Sequence, residues 1–429
     1  MQSWAVVYLF MLKPITVFLF SCFCGALHAQ DTIQQIVPGR KNAANQLSKP
    51  YVILISADGF RYDYAEKYQA VNLIKLRSSG VQAESMIPSF PSVTFPNHYT
   101  IATGLYPAHH GLVYNQFYDR SRKDTYSIGI RKSVEDGSWY GGTPIWVLAE
   151  QQQMLSASYY FVGSEAPIQQ TYPTYWYRFG DNTDINYRIN KVVDWLQLPE
   201  DIRPHLITFY ISNVDHDGHM FGPDAPQTRD AVQFVDKAIG SMTEKVNALG
   251  LPVNFIFLAD HGMAIVDTVT RINIASMIDT SRFVIRGGNT SLHLYAKDTA
   301  YIQPTFELLK KKENGFTVYL RENIPAHWHY TTTDDRFNRI GDIFVVPQYP
   351  KVLSGNSNRI SPGAHGFDPA MKNMHASFYA WGPQIKKGMR IPSFENIHVY
   401  PLICSLLGLK YTEKIDGDPA VLNQILRKN

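Results

Sequence analysis

The sequence predicts an α/β protein built on a mostly parallel sheet, and two observations carry that prediction. Runs rich in Val, Ile, Phe and Tyr at 51–57, 206–214 and 253–259 lack strict alternation and read as strands buried on both faces. Helical patterns at about 64–78, 144–152 and 231–248 separate them, and alternating strands and helices imply helices on both sides of the sheet. Each apolar run ends at an aspartate: Asp58, Asp215 and Asp260. In such sheets the functional groups gather beyond the carboxyl ends of the strands. One aspartate after a strand is common turn chemistry, whereas three at one edge mark a site.

Ahead of the first strand, 1–29 reads as an export signal. Lys13 precedes an apolar stretch at 15–23, and Leu27-His28-Ala29 offers small-residue cleavage before Gln30. The stretch after Lys13 is too short for a comfortable membrane span. Cutting after Ala29 removes Cys22 and Cys24 and leaves Cys404 alone, so no internal disulfide is expected and a large core must supply the stability. The expected product is a periplasmic or secreted domain at 30–429 with no stable membrane span. Beyond the third strand, 268–363 reads as a small inserted α+β lobe, with strands at 291–296, 316–320 and 342–347 and a helix at 305–312.

The 429 residues carry 40 Lys and Arg against 37 Asp and Glu, a net charge of +3. That balance excludes a general binder of nucleic-acid polymers. An anionic ligand must be held by a local site, and a metal centre is one way to build it.

Ligand-type residues cluster in the same loops as the three aspartates. Asp215 and His219 are four apart, Asp260 and His261 are adjacent, and Ala364-His365-Gly366 follows the lobe. Carboxylate oxygen and imidazole nitrogen suit Zn²⁺ without cysteine. Two ions that each keep an open position need about six protein ligands, and Asp58, Asp215, His219, Asp260, His261 and His365 make six. A pair of ions ~4 Å apart clamps the attacking and leaving oxygens of a phosphoryl transfer. Thr94 precedes Phe95-Pro96, and Pro96 suits the first turn of a helix over 96–103. That places the Thr94 hydroxyl at a helix N-terminus, where free N–H groups and the dipole favour phosphate, and metal coordination would activate it as a nucleophile. Asn115 is a candidate amide donor to a phosphate oxygen. His216 and Asp217 are expected to face solvent or support their neighbours, and His98, His109 and His110 to be structural.

These segments resemble the nucleotide pyrophosphatase/phosphodiesterases of the alkaline phosphatase superfamily. The resemblance rests on Thr94-Phe95-Pro96-Asn97-His98-Tyr99, Thr103-Gly104-Leu105-Tyr106-Pro107, His110-Gly111-Leu112, Asn115 and Gly142-Thr143-Pro144-Ile145-Trp146. It implies an alkaline-phosphatase-like three-layer sandwich and two Zn²⁺ per chain. One ion would fall to Asp215, His219 and His365, and the other to Asp58, Asp260, His261 and the Thr94 hydroxyl. It also implies a covalent phospho-threonine and an aromatic slot matching Phe95 and Tyr210, with Phe161 and Phe179 nearby. Phe161-Val162 stands where many members carry Trp-Pro. The implied substrate is a small phosphodiester, a nucleotide above all, with choline-type lipid headgroups as the alternative. A sulfatase would need Cys or Ser in Cys/Ser-x-Pro-x-Arg, and a phosphomonoesterase an arginine near Thr94 or Asn115; neither is present. A catalytically dead binding protein would have lost a ligand or the nucleophile, and all seven positions are filled.

Overall fold

The run at 51–57 forms the strand Tyr51–Ala57, buried at every position. In the computed structural model it is central to a nine-stranded sheet. Leu206–Ile211 lies on one side of it and Val253–Leu258 on the other, both parallel to it. Ser156–Tyr159 and Tyr175–Tyr177 extend the parallel pairing past Leu206–Ile211. On the far side Phe378–Trp381 pairs antiparallel with Val253–Leu258. Both faces are covered, which is why these strands are apolar without alternation. Val71–Ser79, Ile185–Gln197 and Pro226–Asn247 pack together as one helical group; Thr94–Thr103, Ile145–Gln151 and Val399–Leu407 form another. The architecture is the α/β sandwich that the apolar runs imply.

The described residues are 33–180, 183–354 and 360–427. The expected signal at 1–29, with Cys22 and Cys24, lies outside them. No helix among the described residues is long and apolar enough to cross a membrane. Cys404 is free and buried.

Three local readings are corrected. The pattern at 64–78 is two helices, Tyr64–Lys67 and Val71–Ser79, broken where Gln69 takes φ 54°, a left-handed conformation no helix interior accepts. The second strand-like run stops at Ile211, and Asp215 sits on a helix, Asn213–Phe221. The helix expected to begin at Pro96 begins at Thr94.

Between Ala264–Ile265 and Gly363–Ala364, which pair antiparallel, the chain builds a four-stranded antiparallel sheet in the order Phe283–Gly287, Leu292–Ala296, Ile343–Pro347, Phe316–Leu320. The first of these strands has no counterpart in the sequence reading. Leu294, Leu309, Phe316, Ile343 and Val345 are among the residues of its separate apolar core. The Ala264–Ala364 pairing returns the chain beside the end of Val253–Leu258, which delivers His365 to the aspartates.

Arg339 fastens this sheet to the main body. Its Nε donates to Asp119 Oδ2 at 2.8 Å, and its Nη1 to the carbonyls of Gly111 and Trp139 at 2.9 and 2.7 Å. Both side chains of the ion pair are 3% exposed. Removing one partner of a buried pair strands the other charge without water. Arg339→Met is therefore expected to lower unfolding free energy by about 3–5 kcal/mol, measured by guanidinium titration. A loss below about 1 kcal/mol, the scale of a surface pair, would show that this contact does not hold the sheet in place.

Candidate active site

Asp58 follows Tyr51–Ala57 directly, and Asp260 stands two residues past Val253–Leu258. Parallel pairing puts both at the same sheet edge. Asp215 reaches that edge from the first turn of its helix. Gly59 allows the approach: its φ is +69°, and a Cβ there would lie 2.9 Å from the Asp215 Cα. No larger residue fits.

The ligand-type side chains converge. Asp58, Asp260 and His261 offer one group whose ligand atoms lie within 4.8 Å of one another, and Asp215, His261 and His365 offer another. His261 Nε2 is 3.0 Å from Asp260 Oδ2 and 3.5 Å from Asp58 Oδ1. His365 Nε2 and His219 Nε2 lie 3.4 and 3.5 Å from Asp215 Oδ1. His219 falls outside both tight groups and joins them through Asp215 and the His365 ring, whose centroid is 4.8 Å from its own. The Thr94 hydroxyl is 3.3 Å from His261 Nε2.

The three imidazoles are oriented alike. Nδ1 of His219, His261 and His365 lies 2.9 Å from the carbonyls of Gly363, Gly262 and Ser92 respectively. A carbonyl only accepts, so Nδ1 carries a hydrogen, and Nε2 is the atom each ring turns toward the carboxylates. Metal-ligating histidines are fixed in this way.

The carboxylates lack the donors that buried oxygens need. Asp58 Oδ1, Asp215 Oδ1 and Asp260 Oδ2 are buried without a hydrogen-bond partner, a costly condition for an anion. Burial, with the neighbouring Asp260 and Asp215 carboxylates, pushes the Asp58 carboxyl well above its ordinary range. Burial acts the same way on Asp260, but the His261 and His98 imidazoles hold that carboxyl well below it. Burial, with His261 and His219 close by, holds His365 well below its usual value. A set of orphaned oxygens and imidazole Nε2 atoms facing one space fits divalent cations.

Asn115 accepts the Phe95 N–H with Oδ1 at 3.0 Å, which leaves its Nδ2 hydrogens for a ligand. The helix start therefore offers fewer free donors than expected, because the Phe95 N–H is taken and Pro96 has none. Asn97 is buried and clamps the preceding loop, donating to the carbonyls of Pro91 and Val93 and accepting from the Ser89 N–H.

A cavity of about 770 Å³ opens beside Thr94 and Asp58. Phe95, Phe179 and Tyr210 line it. Tyr210 also donates its hydroxyl to Asp58 Oδ2 at 2.6 Å, a second role its sequence position did not show. Phe161 does not line the cavity. Its side chain is fully buried, packed against His98 and Trp146, and Val162 stands at the wall instead. His216 lines the rim and Asp217 lies outside the ligand groups.

Two participants escaped the sequence reading. Glu165 lines the cavity, where burial pushes its carboxyl up to about 7 against a backbone hydrogen bond from Phe179 and the nearby Arg131. His98, taken as structural, has its Nδ1 3.3 Å from Asp260 Oδ2. Its signal was the four-residue spacing from Thr94, which places both on one helix face.

A venom phosphodiesterase of Crotalus durissus collilineatus is 34% identical over 388 residues, 88% of this chain. The match covers 46% of that protein, so the chain spans about half the length of such relatives. An uncharacterised pyrophosphatase/phosphodiesterase of Schizosaccharomyces pombe is 34% identical over 397 residues, 87% of this chain and 80% of its own. Among solved structures, an inactive threonine-to-alanine form of murine ectonucleotide pyrophosphatase/phosphodiesterase 5, in complex with AMP, superposes with a TM-score of 0.83 at 26% identity. That match covers 88% of this chain and all of the other. Residues 52–368 match the type I phosphodiesterase / nucleotide pyrophosphatase family, and the chain belongs to that family.

Proposed function

We propose that this chain is an exported two-zinc phosphodiesterase, with 1–29 as its signal and 30–429 as its catalytic domain. Its substrates are phosphodiester and pyrophosphate bonds of nucleotides, and a nucleoside 5′-monophosphate is released. The observation that carries this reading is the set of three buried, donorless carboxylate oxygens facing oriented imidazoles beside the Thr94 hydroxyl. Asp215, His219 and His365 would hold one ion, and Asp58, Asp260, His261 and the Thr94 hydroxyl the other. When bound, the ions supply Lewis acidity toward the hydroxyl and the phosphate oxygens.

The remaining chemistry belongs to the side chains. Thr94 Oγ1 gives its proton to solvent and bonds to phosphorus as the bond to the leaving oxygen breaks, and the leaving oxygen takes a proton from solvent. Water then attacks the phospho-threonine, the Oγ1–phosphorus bond breaks, and Thr94 regains its hydroxyl. Asn115 Nδ2 would donate to a non-bridging oxygen as charge develops there. Phe95, Phe179 and Tyr210 would hold the retained nucleoside by stacking and edge contacts. The AMP complex named for the murine neighbour, and its inactivity as a threonine-to-alanine form, support both assignments.

Glu165 favours a second reading, a choline-type headgroup phosphodiesterase. An acid among aromatic rings suits a quaternary ammonium. Burial keeps this carboxyl largely neutral until about pH 7, which weakens its hold on a cation below that pH.

The readings separate by rates on the p-nitrophenyl esters of thymidine 5′-monophosphate and phosphorylcholine, with and without a chelator. A chelator-sensitive preference for the thymidine ester is expected, and a preference for phosphorylcholine would overturn the nucleotide assignment. Thr94→Ala should lower turnover by at least about 10³-fold while retaining zinc; near-normal turnover would remove Thr94 as nucleophile.

Glu165 also sets a pH dependence of stability. Its ordinary value is 4.5 and its folded value about 7. Between them the folded state binds the extra proton, so stability falls as pH rises through this window and stays lower above it. Glu165→Gln removes that loss. Its stability relative to the parent should rise by on the order of 1–3 kcal/mol between pH 4.5 and pH 8, read from unfolding curves at both. A constant difference would mean the carboxyl is not held neutral.

A further inference from the structure

His98 lies outside both ligand groups, yet it touches three elements that must agree for the site to work. It sits one helical turn after Thr94, with its side chain fully enclosed. Nδ1 is 3.0 Å from the Thr94 carbonyl and 3.3 Å from Asp260 Oδ2. Both are acceptors, so Nδ1 carries the hydrogen. Nε2 is 2.8 Å from Ser56 Oγ, two residues before Asp58 on the central strand. The ring is walled edge-on by Phe161 and Tyr210, at centroid distances of 5.4 and 5.2 Å.

The other contacts of Asp260 make this placement matter. Its Oδ1 accepts the Gly59 N–H at 3.2 Å. His261 comes within 3.0 Å of Oδ2 through Nε2, while its Nδ1 hydrogen is committed to the Gly262 carbonyl. The His98 N–H supplies the positive edge toward Oδ2. Shared with the Thr94 carbonyl, it leaves Oδ2 without a full hydrogen bond and therefore open to a cation.

We propose that His98 is a positioning residue, which fixes the Asp260 carboxylate relative to the Thr94 hydroxyl by tying the nucleophile's helix to both. The proposal rests on the roles given above to Thr94 and Asp260. It also gives Phe161 a task, as the wall that holds the His98 ring.

Two amide substitutions separate positioning from mere support. In His98→Asn the side-chain N–H falls near the Nδ1 position; in His98→Gln it falls near Nε2, where only Ser56 is served. Steady-state rates on the p-nitrophenyl ester of thymidine 5′-monophosphate, zinc retention against a chromogenic chelator and unfolding midpoints are measured on the full chain. His98→Gln is expected to lower kcat by about 10–100-fold with KM little changed, and to yield zinc at lower chelator concentration. His98→Asn should recover most of both losses. Equal behaviour of the two variants, or better performance by His98→Gln, would overturn the proposal. Should neither fold, Phe161→Leu loosens the ring without altering a polar group: a lower kcat at constant KM supports positioning, and a higher KM at constant kcat overturns it. Thr94→Ala measured alongside keeps the failures distinct, since an active Thr94→Ala refutes the catalytic reading itself, while an inactive one beside an unaffected His98→Gln refutes only the role of His98.

Discussion

Mutual repulsion among three carboxylates, Asp58 and Asp260 buried and Asp215 half-buried, is the condition on which this site depends. Asp58, Asp215 and Asp260 sit close enough for Asp260 and Asp215 to raise the Asp58 carboxyl together with burial. Water would normally screen such a group, and burial of Asp58 and Asp260 withdraws much of it. The surrounding atoms offset the cost only in part. Tyr210 satisfies one oxygen of Asp58 and the Gly59 N–H one of Asp260, while Asp58 Oδ1, Asp260 Oδ2 and Asp215 Oδ1 stay bare. The structure thus keeps the Asp58 and Asp260 carboxylates half-satisfied, enough to orient them and too little to neutralise them. Positive charge from outside the chain completes the balance.

Delivery of the imidazoles follows from topology. His261 comes with Asp260 because the two are adjacent past one strand end. His219 comes with Asp215 because helical spacing of four stacks their side chains. His365 is distant in sequence, and an excursion of about a hundred residues precedes it. The two-residue ladder of Ala264–Ile265 with Gly363–Ala364 returns the chain to the right place. Gly363 is required there, since a Cβ would lie 2.0 Å from the Gly218 carbonyl oxygen of the helix carrying Asp215 and His219. Arg339 holds the excursion against the main body, so a buried ion pair remote from the chemistry supports the reach of one ligand-type residue.

Legibility in the sequence divides along physical lines. The central strands were readable because burial on both faces imposes unbroken apolar runs, and the run at 51–57 matches Tyr51–Ala57 residue for residue. Strand ends were less readable: the apolar run at 206–214 continues into the first turn of a helix whose Val214 is also buried, so hydrophobicity did not mark the change. The aspartates and histidines were legible because carboxylates directly after strands have few other reasons to cluster. Second contacts were not. Composition shows that Phe161 is apolar but not that it backs His98 instead of facing a ligand. Glu165 follows Gly163-Ser164 in what reads as an ordinary turn, and only the fold closes Phe179 over it.

The turn of helix at 94–98 shows why this short motif is so dense. Successive helical positions are rotated by about 100°, so one turn addresses several walls at once. Thr94 faces His261. Phe95 turns to the cavity and gives its N–H to Asn115. Asn97 points back to the loop before the helix and locks the entry of the chain. His98 returns to the side of Thr94 and meets Asp260 and the central strand. Pro96, between them, needs no N–H partner at a helix start. A hydroxyl aimed at a cation has no tolerance for a shift of its helix, because displacement by a fraction of an ångström alters its distance to every oxygen and nitrogen around it. Anchoring the turn on the sheet, the slot and the preceding loop removes that freedom before any ligand arrives.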